Sequence, residues 1–187
     1  MADFDTAILV VLAHEGVHSN LRGDPGGETS YGWSTTECNR LGIPLPSSQQ
    51  EAIVLYRKYF WNDLYTMIPS QTVATKILDD CVNQGNHFGV LNLQTALCMV
   101  GSVVKVDGVF GPATLRATSL VPEAMLLMWM RAKQFQSYCA WIAADPTRAV
   151  LKHGMAARAA WPDPDGHIAE ALLKGNYLPM PGGKSNA

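Results

Sequence analysis

Leu12-Ala-His-Glu-Gly-Val-His-Ser-Asn-Leu-Arg-Gly-Asp-Pro-Gly-Gly-Glu-Thr-Ser-Tyr-Gly-Trp33 is the stretch on which the reading of this chain turns. It starts as the end of a helix. Residues 4–15 place Phe4, Ile8, Val11 and Leu12 at helical spacing, with Asp3 or Asp5 as N-cap and Gly16 after the last turn. Glu15 falls one turn beyond Val11 and Leu12, on the face such a helix must bury. A carboxyl desolvated at such a place is what a general acid working near neutral pH requires. Residues 21–34 then change character. Gly23, Pro25, Gly26 and Gly27 make a loop with scope for a short hairpin. That loop brings a second carboxylate, Asp24, and the hydroxyls of Thr29 and Ser30. Two carboxylates, one dry and one wet, are the usual equipment of glycoside hydrolysis. A plain helix end with a surface Glu and an Asx-Pro turn fits the same residue types.

A rival motif overlaps. His14-Glu-Gly-Val-His18 fits H-E-x-x-H, in which two histidines one helical turn apart bind zinc and the Glu activates water. Asp24 stands where the longer form of that motif has a third ligand, but its glycine is Leu21 here. Gly16 weakens the helix that must hold both histidines on one face, by about 1 kcal/mol relative to Ala. A third possibility is a binding protein without catalysis.

Outward from this stretch, the chain reads as mostly helical. Helices are expected at about 34–41 behind a Ser34 or Thr35 cap, and at 47–61, where Ser47/Ser48 and Glu51 suggest a capping box. Others are expected at about 70–84, 87–99, 122–143, 146–160 and 164–174, with Pro112 opening a further helix after the turn at 106–112. Asp79 and Asn83 share one helix face, as a polar pair or a ligand contact. Tyr31 and Trp33 offer flat apolar surface for a sugar ring. Tyr56, Tyr59, Phe60 and Trp61 are expected in the core, and Met125, Met128, Trp129, Met130 and Phe135 as a packing stripe.

The chain has 187 residues, 48% hydrophobic and 16% charged, with a net charge of −2. That is enough chain for a real core and too few charges for disorder. The near-neutral balance excludes a general nucleic-acid binder. Residues 1–100 carry five bases against ten acids, and 101–187 nine bases against six acids. The apolar runs at 7–13 and 124–130 are too short to span a bilayer, and the acidic start Met1-Ala-Asp-Phe-Asp5 is unlike a secretory signal. Synthesis as a soluble cytoplasmic protein without a signal peptide is therefore expected. Cys38, Cys81, Cys98 and Cys139 show no metal or redox spacing and are expected reduced and mostly buried.

The opening stretch also resembles the signature of glycoside hydrolase family 108, the lysozyme-like N-acetylmuramidases of phage endolysins and secretion-activator proteins. The family usually reads H-E-G-G-Y and G-G-A-T-N-Y-G-I; here Val17-His18 and Gly26-Gly-Glu-Thr-Ser-Tyr-Gly-Trp33 stand in those places. The likeness continues in Tyr56-Arg-Lys-Tyr-Phe-Trp61, Asp79-Asp-Cys-Val-Asn-Gln-Gly85 and Leu93-Gln-Thr-Ala-Leu97. Val106-Asp-Gly-Val-Phe-Gly-Pro-Ala-Thr-Leu115 is similar to a small peptidoglycan-binding module. The resemblance implies a mainly α, lysozyme-like fold with a small loop or β region at about 21–34. It implies Glu15 as catalytic acid, with Asp24 and Thr29, or Ser30 in place of Thr29, as its catalytic partners. Ser30, Tyr31, Asp79 and Asn83 would contact substrate. It further implies peptidoglycan as partner, no metal or other cofactor, a monomer, action on the periplasmic wall and release through a holin-type pore. The expected division is a catalytic part at 1–88, a peptidoglycan-binding-like helical part at 89–175 and a loose tail at 176–187.

Overall fold

The structure, a computed structural model, describes residues 1–15, 18–19, 29–163 and 165–175. Asp24, Gly16 and the tail at 176–187 lie outside these described residues. Helix α1 spans Phe4–Glu15 and begins where Asp3 Oδ2 accepts from the Thr6 N–H at 2.7 Å, so Asp3 is the cap. Three two-residue strands follow, β1 (His18–Ser19), β2 (Thr29–Ser30) and β3 (Trp33–Ser34), paired antiparallel in the order β1-β2-β3. The β2–β3 turn is two residues, Tyr31 and Gly32, at φ 49° and 84°. A two-residue hairpin with positive φ at both central positions matches strand twist, which is why a glycine stands second.

Helix α2 (Thr35–Leu41) is capped by Ser34 and closed by Gly42 at φ 66°. Helix α3 (Gln49–Phe60) starts at Ser48, whose hydroxyl accepts from the Glu51 N–H, while Glu51 Oε2 accepts from the Ser47 N–H at 2.8 Å. The remaining helices are α4 (Gln71–Gln84), α5 (Asn86–Met99), α6 (Pro112–Leu120), α7 (Glu123–Ala144), α8 (Lys152–Ala160) and α9 (His167–Lys174). Short 3-10 turns at Asp63–Met67 and Pro146–Leu151 join neighbouring helices. The fold is mainly α and lysozyme-like, and the expected helices are present except that the one expected at 146–160 is a 3-10 turn at Pro146–Leu151 followed by α8.

Helix α4 is the axis of the molecule. It packs against α1, α3, α5 and α7, and every residue from Val73 to Cys81 is buried. The main core around it runs from Ala2 to Met130 and takes in the aromatic cluster of Trp33, Tyr56, Trp61, Tyr65 and Phe110. A smaller cluster holds Phe135, Tyr138 and Leu172 against α8, where Ala156, Ala159 and Ala160 have no exposed surface. Three alanines on one helix face let backbones approach closely, which draws α7 and α9 onto α8. The cysteines are all free; Cys38 and Cys81 are buried, but Cys98 is exposed, contrary to the expectation of burial, because it lies in the last turn of α5.

Candidate active site

The helix that a buried apolar stripe builds ends on Glu15, and what surrounds that carboxyl is ionic rather than dry and apolar. Arg158 Nη2, from α8, lies 2.7 Å from Glu15 Oε1, and the two side chains are 12% and 17% exposed. The contact is a charge pair rather than an aligned hydrogen bond, since Oε1 has no hydrogen-bond partner among the described residues. The guanidinium is aimed instead by Asp79 of α4. Arg158 Nε donates to Asp79 Oδ1 and Oδ2 at 3.1 and 3.2 Å, and Nη2 donates to Oδ1 at 2.9 Å. On its other side Asp79 Oδ1 accepts from His14 Nδ1 at 2.9 Å, the carboxylate being acceptor-only. His14, Glu15, Asp79 and Arg158 therefore form one cluster where α1, α4 and α8 meet.

Burial acts to raise the Asp79 carboxyl, but the His14 hydrogen bond and the Arg158 and Lys76 charges together hold it below its ordinary value. One turn earlier, buried Lys76 donates from Nζ to the carbonyls of Arg158 and Ala159 at 2.9 and 2.7 Å. Those carbonyls lie in the last turn of α8, where a cation also meets the negative end of the helix dipole. Desolvation lowers Lys76 to about 8 against the pull of Asp79 and Asp80. Asp80 faces the second part of the chain and is pushed up by burial to about 6, despite donors from Asn92 and Gln84 and the charge of Lys76.

The hairpin supplies the other wall. A Cβ placed on Gly32 would clash with the Tyr56 hydroxyl and fall 2.7 Å from Glu15 Cγ. Glycine thus lets the turn lie directly on the Glu15 side chain. Tyr56 donates to the Tyr31 carbonyl at 3.0 Å and pins that turn. A cleft of about 550 Å³ opens beyond it, lined by Gly32, Glu37, Arg40, Tyr59, Asn83 and Asn86 among others. Glu15 does not itself line this cleft; Gly32 is the link between them.

The expected site residues fall into three groups. Glu15, Thr29 and Tyr31 lie on the α1 end and the hairpin, each half-buried, and Asn83 is exposed at the cleft. Asp79 and Ser30 are corrections. Asp79 has no exposed surface, so it cannot touch a ligand and instead aims Arg158. Ser30 is 3% exposed and donates its hydroxyl to the Pro46 carbonyl at 2.8 Å, which fixes the strand. Trp33 is likewise core rather than sugar platform, 2% exposed and packed on Tyr56, Tyr59 and Phe60. Asp24 lies outside the described residues. The zinc motif fails in its geometry: α1 ends at Glu15 and His18 is in β1, so the two histidines do not share a helix face. Arg158 and Lys76 were missed. A signal was present for Lys76, since Lys76-Ile-Leu-Asp-Asp80 sets three charges among the apolar residues at the middle of α4, but none tied Arg158 to Glu15.

Comparison with known proteins finds two matching stretches of the chain. Residues 8–85 match the family described as Glycosyl hydrolase 108, and residues 88–160 match a Predicted Peptidoglycan domain. No curated protein matches the chain. The solved structure of Brucella abortus SagA is similar in fold, with 23% identity, 92% of this chain and 95% of that chain covered, and a TM-score of 0.67.

Proposed function

We propose, from the match of residues 8–85 to Glycosyl hydrolase 108 and of residues 88–160 to a Predicted Peptidoglycan domain, that this chain is a glycoside hydrolase and a muramidase of the endolysin type. It cleaves the β-1,4 bond between N-acetylmuramic acid and N-acetylglucosamine in peptidoglycan. The observation that carries the reading is the Glu15 carboxyl, half-buried at the end of α1, backed by Arg158 and covered by the Gly32 turn. Glu15 delivers a proton to the leaving glycosidic oxygen. Asp24 stabilises the oxocarbenium-like state or positions water. Thr29 is the hydroxyl assigned to assist it, while the Ser30 hydroxyl donates to the Pro46 carbonyl and fixes the strand. Arg158 and Asp79 are positioning residues that act through Glu15. The helical part after residue 88 holds the polymer while the bond is cut. No helix among the described residues is long and apolar enough to cross a membrane.

The test is digestion of purified murein, read by turbidity and by mass spectrometry of the fragments. Wild-type protein is expected to release muropeptides with a reducing N-acetylmuramic acid end, and Glu15→Gln to release none while folding normally. Wild-type lysis by Glu15→Gln would end the assignment. Reducing N-acetylglucosamine ends would move the cut to the other bond. Sedimentation with murein and no release of reducing ends would favour a binding protein.

A further inference from the structure

A second groove, of about 580 Å³, lies beside the first and shares Asn83 and Gln84 with it. Its other walls include Phe88, Tyr138, Trp141 and Met155, from α5, α7 and α8. Phe88 is 60% and Trp141 43% exposed, although both are large apolar side chains. Arg148, which is not part of the groove wall, stacks 4.0 Å over the Trp141 ring and donates to the Trp141 carbonyl. That brace holds the indole in place.

The two shared amides are oriented from inside the protein. Gln134 Nε2 donates to the Tyr138 hydroxyl at 2.9 Å, and that hydroxyl donates to Asn83 Oδ1 at 2.7 Å. Gln84 Nε2 donates to Asp80 Oδ1 at 2.5 Å. One end of each amide is thereby committed, and the ends left without a partner among the described residues are Asn83 Nδ2, a donor, and Gln84 Oε1, an acceptor. A neighbouring donor and acceptor complement an acetamido group, which offers one carbonyl and one N–H. Aromatic faces complement the apolar face of a pyranose ring. No Asp, Glu, Lys or Arg is among the described residues of this groove, which suits a neutral ligand and disfavours the charged stem peptide.

We propose that this groove binds the N-acetylated glycan strand. It takes an acetamido group on Asn83 and Gln84 and a sugar face on Trp141 and Phe88, so that the polymer runs on from the first cleft. The proposal rests on peptidoglycan as substrate and names the neutral N-acetylglucosamine units as what the groove reads.

The experiment uses the full chain carrying Glu15→Gln, titrated with the N-acetylglucosamine tetramer, its de-N-acetylated counterpart and a free stem tetrapeptide. Binding is read by calorimetry and by NMR signals of the Asn83 and Gln84 amides and the Trp141 indole. The acetylated tetramer is expected to bind and shift all three signals. Trp141→Ala with Phe88→Ala should weaken that binding roughly ten-fold, with the fold unchanged by circular dichroism because both side chains are exposed. The de-N-acetylated tetramer should bind at least as much more weakly. An unchanged Kd in the double variant, equal binding of the de-N-acetylated tetramer, or shifts produced by the tetrapeptide alone would overturn the proposal. The two readings fail separately. Lack of murein cleavage by wild-type protein, with tetramer binding intact, removes the enzyme and keeps the groove. Normal cleavage, with an unchanged Kd in the double variant, removes the groove and keeps the enzyme.

Discussion

Replacing Arg158 by Met tests whether a counter-charge from α8 sets the candidate acid. Met keeps most of the aliphatic stem and removes the fork. Asp79, which has no exposed surface, would keep only the His14 hydrogen bond and the charge of Lys76. Removing one partner of a buried ion pair costs about 3–5 kcal/mol, because the other charge stays buried without compensation. For a chain of 150–250 residues each kcal/mol corresponds to roughly 2–4 °C in Tm. The expected drop is therefore on the order of 6–20 °C, read by thermal and urea unfolding. The companion Arg158→Met/Asp79→Leu removes both charges and should recover most of that loss. Activity on murein should behave differently. It should fall in the single variant and stay low in the double, since neither has the guanidinium that backs Glu15. Arg158→Lys keeps a charge but cannot bridge two carboxylates with a planar fork, so it should regain stability before activity. A single variant within about 0.5 kcal/mol of wild type, with unchanged murein kinetics, would refute both halves of the reasoning.

Three further outcomes are expected. Gly32→Ala puts a side chain at φ 84° and within 2.7 Å of Glu15 Cγ; left-handed strain alone costs about 1–2 kcal/mol, and urea unfolding together with murein lysis should show losses in both stability and rate. Gln94 is buried, donates to Asp107, Val109 and Thr114 and accepts from the N–H groups of Asp107 and Gly108. Gln94→Ala orphans several of these groups at about 1–3 kcal/mol each, so the 106–112 turn should lose amide-exchange protection. Asp80 stands at about 6 in the folded protein against an ordinary 3.8. Between those values the folded state keeps a proton that the unfolded chain has released, so stability falls as pH rises through the window. Asp80→Asn should remove that slope in unfolding measured from pH 4 to 6.5; a slope that persists would show that another group causes it.

Local rules carried most of the fold. Asp3, Ser34, Ser48 and Gly42 cap helices as their residue types require, and Pro112 opens α6. Each of these is a contact within a few residues, where chain spacing fixes geometry. The site was legible only as far as such spacing reaches. Glu15 at the end of an apolar stripe was visible, and the hairpin was visible as part of a glycine-rich loop, though Gly32 itself was not singled out. The role of Asp79 was misjudged because a helix face says which residues are neighbours, not which face is covered, and that of Ser30 because its partner, the Pro46 carbonyl, lies 16 residues away. Helix α4 is covered on all sides from Val73 to Cys81, so the polar residues of that stretch are buried partners of other helices, and only its last turn, with Asn83 and Gln84, reaches the grooves. Trp33 was misjudged for the same reason: an aromatic beside a glycine turn suits a sugar platform, but α3 brings Tyr56, Tyr59 and Phe60 over it. Arg158 lies far along the chain from Glu15, and no periodicity connects them.

The ion cluster itself needs a reason, because stability alone does not supply one. Desolvating Lys76, Asp79 and Arg158 costs about as much as their mutual attraction returns, and an apolar core of equal volume would serve as well or better. What an apolar core cannot do is hold a guanidinium at one point. Lys76 grips the backbone of Arg158 through its carbonyl, and Asp79, one turn on, grips the side chain of the same residue. Two anchors three positions apart on one buried helix fix Arg158 in both position and direction. Glu15 then sits against a charge whose place is set by the interior, not by solvent or by a loop. The burial that makes the cluster costly is also what makes it rigid, and rigidity within about half an ångström is what a proton-delivering group requires of its surroundings.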